Sequence, residues 1–281
     1  MKKVLAVIGD PIMQSKSPLM HQAAFSELEL DAVYVPFHVR AEHLQQAVEG
    51  IRALGIYGIN VTIPHKVEVM KYLDDIDPLA RQIGAVNTIV NRDGKLIGYN
   101  TDGIGYVRSL KEEAHFDPKG KRIVVVGAGG ACRAVAFALA QAGASQLIIL
   151  NRTQQTAEQL ASHLVEHTGI QSFVAVDVAA QQLAIEQADL IINTTSIGMF
   201  PNREATPFNT NWIQSHQVVS DLIYNPLRTK MLDDAYEKGA TALGGLGMFV
   251  YQGAYGFEYW TGMQAPIEVM RTAVLQSLGY E

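Results

Sequence analysis

Apolar positions along the chain fall into two alternating kinds of run. Short stretches are almost wholly hydrophobic: VLAVIG (4–9), AVYVPFHV (32–39), GINVTI (58–63), RIVVVG (122–127), the start of QLIILNRT (146–153), FVAVD (173–177), LIINTTS (190–196) and VVSDLIY (218–224). Their length and their load of Val and Ile predict strands. Longer stretches lie between them, with apolar residues at helical spacing: SPLMHQAAFSEL, AEHLQQAVEGIRAL, GIGYVRSLKEEA, ACRAVAFALAQAG, AEQLASHLVEH and TKMLDDAYEKG. Strands alternating with helices are the pattern of an α/β protein. The later strands are apolar nearly throughout, as parallel strands covered on both faces must be.

Local signals sharpen the plan. Ser17-Pro18 predicts a helix start, with the serine as cap and the proline as first helical residue. AVNTIVNRDGKLIGYN predicts a hairpin turning at Arg92-Asp93-Gly94. In GINVTIPHKVEVM (58–70), Ile59, Val61 and Ile63 alternate with Asn60 and Thr62, which places the two polar residues on one face. Pro64 ends that strand, and Val67, Met70 and Leu73 then recur at three-residue steps, a helical pattern. The tail predicts two helices, GMFVYQGAYGFEYWTG and PIEVMRTAVLQSLG, broken at Pro266. The polar HFDPKGKR (115–122) reads as a domain boundary.

At 281 residues the chain has room for two domains. A net charge of −6 argues against nucleic-acid binding, which needs a basic patch. Cys132 is the single cysteine, so no internal disulfide can form and nothing points to secretion. MKKVLAVIGD imitates a signal peptide, but its apolar run stops at Asp10, and a buried first strand is expected instead. The longest uncharged stretch, 239–257, carries six glycines and Gln252 and does not read as a membrane span. The expected setting is the cytoplasm. No Cys/His cluster suggests a metal site.

VVVGAGGACR sets Gly127, Gly129 and Gly130 between a buried strand and a helix. A dinucleotide needs that arrangement: a tight turn, close backbone approach to the pyrophosphate, and a helix N-terminus with free N–H groups. Cys132 stands where the third glycine of the usual fingerprint would be. The next strand ends in Asn151-Arg152-Thr153 rather than in an acid. A carboxylate there repels a 2′-phosphate, whereas a guanidinium pairs with it, so the expected cofactor is NADP rather than NAD. Other candidates sit at the ends of elements, where sites are usually built: Lys66, Asp102 behind Asn100 and Thr101, Asn87, and Ser15 with Ser17. Each also has an ordinary reading, as helix cap, turn residue or solvated lysine. His65 is expected to pack or turn rather than to bind a ligand.

Taken together, SKSP, NVTIPHK, GAVNT, GYNTDG, GAGGA, NRT, NTTSIGM, DLIYNP and GLGMFVYQG closely resemble the shikimate dehydrogenase family, in family order over essentially the whole chain. The resemblance implies reversible NADP-dependent reduction of 3-dehydroshikimate to shikimate, in chorismate and aromatic amino-acid biosynthesis. It implies Lys66 and Asp102 as the catalytic pair. Ser15 and Ser17 hold the substrate carboxylate, and Thr62, Asn87, Tyr224 and Gln252, joined by Asn60, make further substrate contacts. Gly127, Ala128, Gly129, Gly130, Ala131, Asn151, Arg152, Thr153, Thr195, Leu222 and Gly245 form the cofactor site. One departure stands out: the family often has a second basic residue after NRT, where this chain has Gln154 and Gln155. The implied architecture is a substrate domain of residues 1–103, rejoined by helices 247–281, and a Rossmann-type NADP domain of residues 104–246, with the site in the cleft between them. A small-molecule substrate is the implied partner, with neither nucleic acid nor membrane; a homodimer stays open. Two alternatives stand beside this reading: a quinate/shikimate dehydrogenase of looser specificity, and a non-catalytic NADP-binding regulatory module, against which the presence of both Lys66 and Asp102 argues.

Overall fold

The computed structural model describes residues 2–280. The chain divides into two compact units: one runs to Asp102 and resumes at Val250, and the other is Gly103–Phe249. The first unit is built on a mixed six-stranded sheet of β1 (Lys3–Gly9), β2 (Ala32–His38), β3 (Gly58–Val61), β4 (Asp75–Ile76), β5 (Thr88–Arg92) and β6 (Lys95–Tyr99), in the order β2-β1-β3-β5-β6-β4. β1 pairs parallel with both neighbours, while β5 runs antiparallel to β3 and β6. The β5–β6 hairpin closes at Arg92 opposite Lys95, with Asp93 and Gly94 both at positive φ (53° and 90°). A two-residue turn of that twist needs a pair that tolerates the left-handed region, which Asp-Gly does.

Helices α1 (Ser17–Glu27), α2 (Leu44–Ala53) and α3 (Pro78–Ile83) punctuate these strands. A core of Ala6, Ile8, Val48, Ile51, Ile59, Val61, Val69 and Ile89 fills one side of the sheet. Ser17 is not the cap of α1 as its sequence suggests. The helix starts at Ser17 with Lys16 in the cap position, and the backbone N–H of Ser17 donates instead to Ser15 Oγ at 3.3 Å. The three-residue steps after Pro64 correspond to a 3₁₀ turn over Glu68–Tyr72, whose period is three rather than 3.6.

The second unit starts with α4 (Asp102–Glu113), whose first residue still belongs to the first unit, and has a six-stranded sheet that is parallel throughout. Its strands are β7 (Arg122–Val126), β8 (Gln146–Leu150), β9 (Gln171–Val174), β10 (Leu190–Asn193), β11 (Val218–Asp221) and β12 (Thr241–Leu243), in the order β12-β11-β10-β7-β8-β9. The chain builds outward from β7 to β9, then returns to β10 on the other side of β7. That reversal makes the C-terminal edge between β7 and β10 the topological switch point, where dinucleotides bind in such sheets. Helices α5 (Gly130–Gln141), α6 (Gln154–Thr168), α7 (Val178–Glu186) and α8 (Lys230–Glu237) follow the strands, and α9 (Leu246–Thr261) and α10 (Ile267–Ser277) end the chain.

HFDPKGKR does not separate the units: it lies inside the second, linking α4 to β7. Helices α3 and α7 were not expected from hydrophobic spacing, because each is short and buries only two side chains. Their start signals are local instead. Asp77 caps α3 ahead of Pro78, and Asp177 accepts from Ala180 N at 2.7 Å at the head of α7. Among the described residues no helix is long and apolar enough to cross a membrane.

Candidate active site

β3 ends at Val61, and the backbone then folds tightly: Thr62 N donates to Ile8 O and His65 N to Thr62 O, at 3.0 and 2.9 Å. His65 turns inward, is fully buried, and places its Nε2 2.6 Å from Val39 O, so it anchors the turn, as expected. Lys66 is thereby fixed, and its own carbonyl accepts from Val86 N at 2.8 Å, which ties it to the approach to β5.

The Lys66 ammonium donates to Asp102 Oδ2 at 2.6 Å. The pair is largely withdrawn from water, with side chains 17% and 6% exposed. Asp102 opens α4, with its N–H held by Asn100 Oδ1 at 3.1 Å, while Asn100 Nδ2 donates to Ala85 O. The second carboxylate oxygen accepts from Asn87 Nδ2 at 2.8 Å. Asn87 Nδ2 also reaches Thr101 Oγ1 at 2.9 Å and Gln252 Oε1 at 3.4 Å. Four of the residues singled out in the sequence, Lys66, Asp102, Asn87 and Gln252, are thus in one hydrogen-bonded cluster. With one N–H on Asp102, the ammonium keeps donors to offer a ligand oxygen. It can hold, give and take a proton beside a fixed negative charge.

The remaining sequence candidates are placed differently. Thr62 is half-buried just beyond the ladder. Ser17 is buried, and its hydroxyl neighbours the Tyr34 phenol. Asn60, expected to face a ligand, has its amide engaged by protein groups: Tyr34 Oη donates to its Oδ1 at 2.6 Å, and its Nδ2 donates to Thr88 Oγ1 and Asn87 O at 3.0 and 3.2 Å. Tyr224 belongs to the second unit and stacks on Phe249, with centroids 4.2 Å apart. Sequence reasoning missed Tyr34 and Thr88, and Thr101 entered it only as a neighbour of Asp102. Tyr34 and Thr88 are residue types favoured in any strand, and only the Asn-Thr pairs at 87–88 and 100–101 carried a trace of a polar site.

In the second unit, Gly127 follows β7 at φ +112°, and a Cβ there would lie 2.5 Å from Thr194 Oγ1, so the turn needs glycine for both reasons. Gly129 and Gly130 differ: a Cβ on either would meet open space, so protein packing does not require glycine at either. Gly129 caps α5 without a side-chain hydrogen bond. Free N–H groups at a helix start, with clear space before them, fit a pyrophosphate. Cys132 Sγ donates to Gly127 O at 3.0 Å, and burial pushes its thiol up to about 12, so it braces the turn and is inert. Ala128 is buried and Ala131 half-buried beside it.

Asn193 Oδ1 accepts from both Thr195 N and Thr195 Oγ1, at 3.0 and 2.7 Å, fixing Thr195 at the switch point. Leu222 N donates to Asn193 O, and a side chain on Gly245 would collide with the Leu222 carbonyl. Beyond β8, Asn151 Nδ2 donates to Thr153 O at 2.9 Å, shaping the loop that exposes Arg152. Among the described residues no acid pairs with Arg152. Its guanidinium is available for a phosphate, and the residues present fit NADP.

A family model described as the shikimate dehydrogenase substrate binding domain matches residues 7–89, shikimate / quinate 5-dehydrogenase matches 109–202, and the shikimate 5'-dehydrogenase C-terminal domain matches 245–275. A shikimate dehydrogenase (NADP(+)) of Bacillus cytotoxicus is 50% identical over 279 residues, 99% of this chain and 100% of the relative. The chain belongs to the shikimate dehydrogenase family. Among solved structures, a shikimate dehydrogenase in complex with NADP+ is similar with a TM-score of 0.92 and 47% identity, covering 99% of this chain and 96% of the other. A shikimate 5-dehydrogenase from Listeria monocytogenes, in complex with shikimate and NAD, has a TM-score of 0.91 at 37% identity, over 97% and 96% of the two chains. The α/β architecture with a Rossmann-type unit is therefore that of the shikimate dehydrogenases.

Proposed function

We propose that this family member catalyses the reversible NADP-linked reduction of 3-dehydroshikimate to shikimate. In this reading residues 1–103 and 247–281 bind the substrate and residues 104–246 bind NADP. The buried Lys66–Asp102 pair, with Asn87 on the second carboxylate oxygen, is the observation that carries it. When bound, the nicotinamide supplies or accepts the hydride. As negative charge grows on the substrate's C3 oxygen, the Lys66 ammonium stabilises it and delivers a proton; in the oxidative direction the amine takes that proton back. Asp102 holds the ammonium in place and keeps a compensating charge beside it through both states.

The hydroxyls of Ser15 and Ser17 hold the substrate carboxylate, and Thr62, Asn87, Gln252 and Tyr224 make further substrate contacts. Asn60, whose amide is engaged by protein groups, supports the site rather than touching the ligand. For the cofactor, the turn from Gly127 to Ala131 cradles the pyrophosphate. Asn151, Arg152 and Thr153 receive the adenosine 2′-phosphate, and Thr195, Leu222 and Gly245 line the remainder. The single cysteine and the lack of a membrane-length helix among the described residues are consistent with a cytoplasmic enzyme.

Absorbance of the reduced nicotinamide is the test, with shikimate and then quinate as substrates and NADP or NAD as cofactor. Turnover of shikimate with NADP is expected. No turnover with any of the four combinations refutes an enzymatic role, and quinate turned over as fast as shikimate refutes the narrower substrate assignment.

A further inference from the structure

Behind the Lys66–Asp102 pair lies a chain of buried polar side chains in which main-chain groups fix both amide orientations. Two main-chain groups set its direction, because neither can change role. The first is the carbonyl of Asn87, which only accepts. Asn60 faces it at 3.2 Å and must present Nδ2 there. Asn60 Oδ1 is then turned to Tyr34, so the phenol must donate, at 2.6 Å. The second is the N–H of Thr101, which only donates. Asn87 lies 2.8 Å from it and must present Oδ1, so its Nδ2 is directed at Asp102. Thr88 joins the two amides. Its Oγ1 accepts from Asn60 Nδ2 at 3.0 Å and donates to Asn87 Oδ1, also at 3.0 Å and nearer than Thr101 Oγ1 at 3.4 Å.

Read in order, Tyr34 donates to Asn60, Asn60 to Thr88, Thr88 to Asn87, and Asn87 to Asp102, whose other oxygen accepts from Lys66. All the dipoles point the same way and end on one carboxylate. Aligned hydrogen bonds in a dry interior polarise one another, so each link strengthens the next. The chain is dry: Asn60, Asn87, Asp102 and Tyr34 are buried, and Thr88 and Thr101 have no exposed surface at all. At its far end the Tyr34 phenol neighbours the hydroxyl of Ser17.

We propose that Thr88 and Tyr34 are positioning residues for catalysis: through Asn60 and Asn87 they hold the Asp102 carboxylate, and with it the Lys66 ammonium, in the geometry that transfers the proton. Neither reaches the substrate in this account. They act by fixing which end of each amide faces the pair. The kinetic part rests on the dehydrogenase reading above; the structural part does not.

Two substitutions at one position separate this role from packing. Thr88→Val keeps the shape and removes the hydroxyl, and Thr88→Ser keeps the hydroxyl and removes a methyl group. For Thr88→Val, kcat for shikimate oxidation is expected to fall about three- to tenfold, the size of one neutral hydrogen bond. KM for NADP should be unchanged. Thr88→Ser should restore kcat to within about twofold of wild type, below that range. Tyr34→Phe should fall in the same direction by less, being two links further away. A second readout needs no turnover: acetic anhydride labelling of Lys66, followed by peptide mass, should be faster in Thr88→Val than in wild type and Thr88→Ser, because a loosened pair frees the amine. If Val matches wild type, or Ser is as impaired as Val, the chain has no positioning role. Should the wild type fail to oxidise shikimate, the functional reading falls, and the labelling rates alone decide the chain.

Discussion

Removing Lys66 while leaving Asp102 in place should damage stability as well as catalysis, and the two losses can be separated. Asp102 is buried, and its oxygens are shared between Lys66 and Asn87. Lys66→Met leaves a carboxylate with one hydrogen-bonded partner and no countercharge. Losing one member of a buried pair costs about 3–5 kcal/mol; the residual exposure of the lysine puts this case at the lower end, about 3 kcal/mol. Adding Asp102→Asn removes the stranded charge and keeps an amide of the same shape, so the double variant should be more stable than Lys66→Met alone. Activity should not follow. Both Lys66→Met and the double variant lose kcat by the roughly 10²–10⁴-fold typical of a missing general acid and base. Trp260 belongs to the first unit and Trp212 to the second, so urea unfolding followed by fluorescence in a Trp212→Phe background reports on the first unit alone. With m of about 1–3 kcal/mol per molar, the single variant's midpoint should fall by about 1–3 M. Stability losses that simply add, with the double variant weaker than either single one, would refute the charge-burial argument. A kcat near wild type in Lys66→Met would refute the catalytic one.

Arg152→Ala should weaken NADP binding about ten- to 150-fold, the value of one charge-assisted contact of roughly 1.5–3 kcal/mol, and leave NAD almost unaffected; kcat/KM for both cofactors in both proteins is the measurement, and an unchanged NADP preference means the phosphate is read elsewhere. Replacing Ser15 and Ser17 together by Ala should raise KM for shikimate and spare NADP affinity, and calorimetry showing unchanged shikimate binding removes their role. His21 is buried with neither ring nitrogen hydrogen-bonded, and burial lowers its pKa to about 3, with a smaller opposing effect from Asn60. Because the folded state resists protonation while the unfolded chain takes a proton below about 6.5, the first unit should lose stability as pH falls from 6.5 toward 3, by about 1.4 kcal/mol per pH unit. Asp221 acts with the opposite sign in the second unit: burial raises it to about 6, so its contribution is present below its unfolded value and is lost as pH rises through 6. Urea midpoints of the first unit between pH 7 and 4.5 should therefore flatten in His21→Phe, and a slope unchanged by that substitution excludes His21 as the source.

Much of the fold was legible because its signals are local and repeated. Short apolar runs, IVVV, LIIL and LII, marked β7, β8 and β10, and Asp93-Gly94 marked the hairpin, since only a residue pair tolerant of positive φ closes it. What escaped lacked such repetition. Strand β4 has two residues and β12 three, too few for alternation to register. HFDPKGKR has the composition of a linker, yet composition reports only that a segment is solvated, and a loop inside a unit is solvated too.

The site was legible in a different way. Its charged members could be picked out one by one, since a lysine after a strand end and an aspartate at a helix start are unusual enough to notice. Their pairing could not, because Lys66 and Asp102 are brought to 2.6 Å by a sheet whose order places β3, β5 and β6 side by side. That order also explains what engages Asn60. Alternation correctly put Asn60 and Thr62 on one face, but it cannot say what covers that face. Within the β3–β5 pairing, Asn60 lies opposite Thr88, and its amide meets another amide system rather than solvent. The polar residues of a strand thus serve two ends: beyond the ladder, Thr62 stays accessible, while within it Asn60 fixes the orientation of the groups that hold Asp102. A substitution such as Asn60→Leu would take away the acceptor of the Tyr34 hydroxyl and a donor to Thr88 in a dry interior, and the cost would register at Lys66, which Asn60 does not touch.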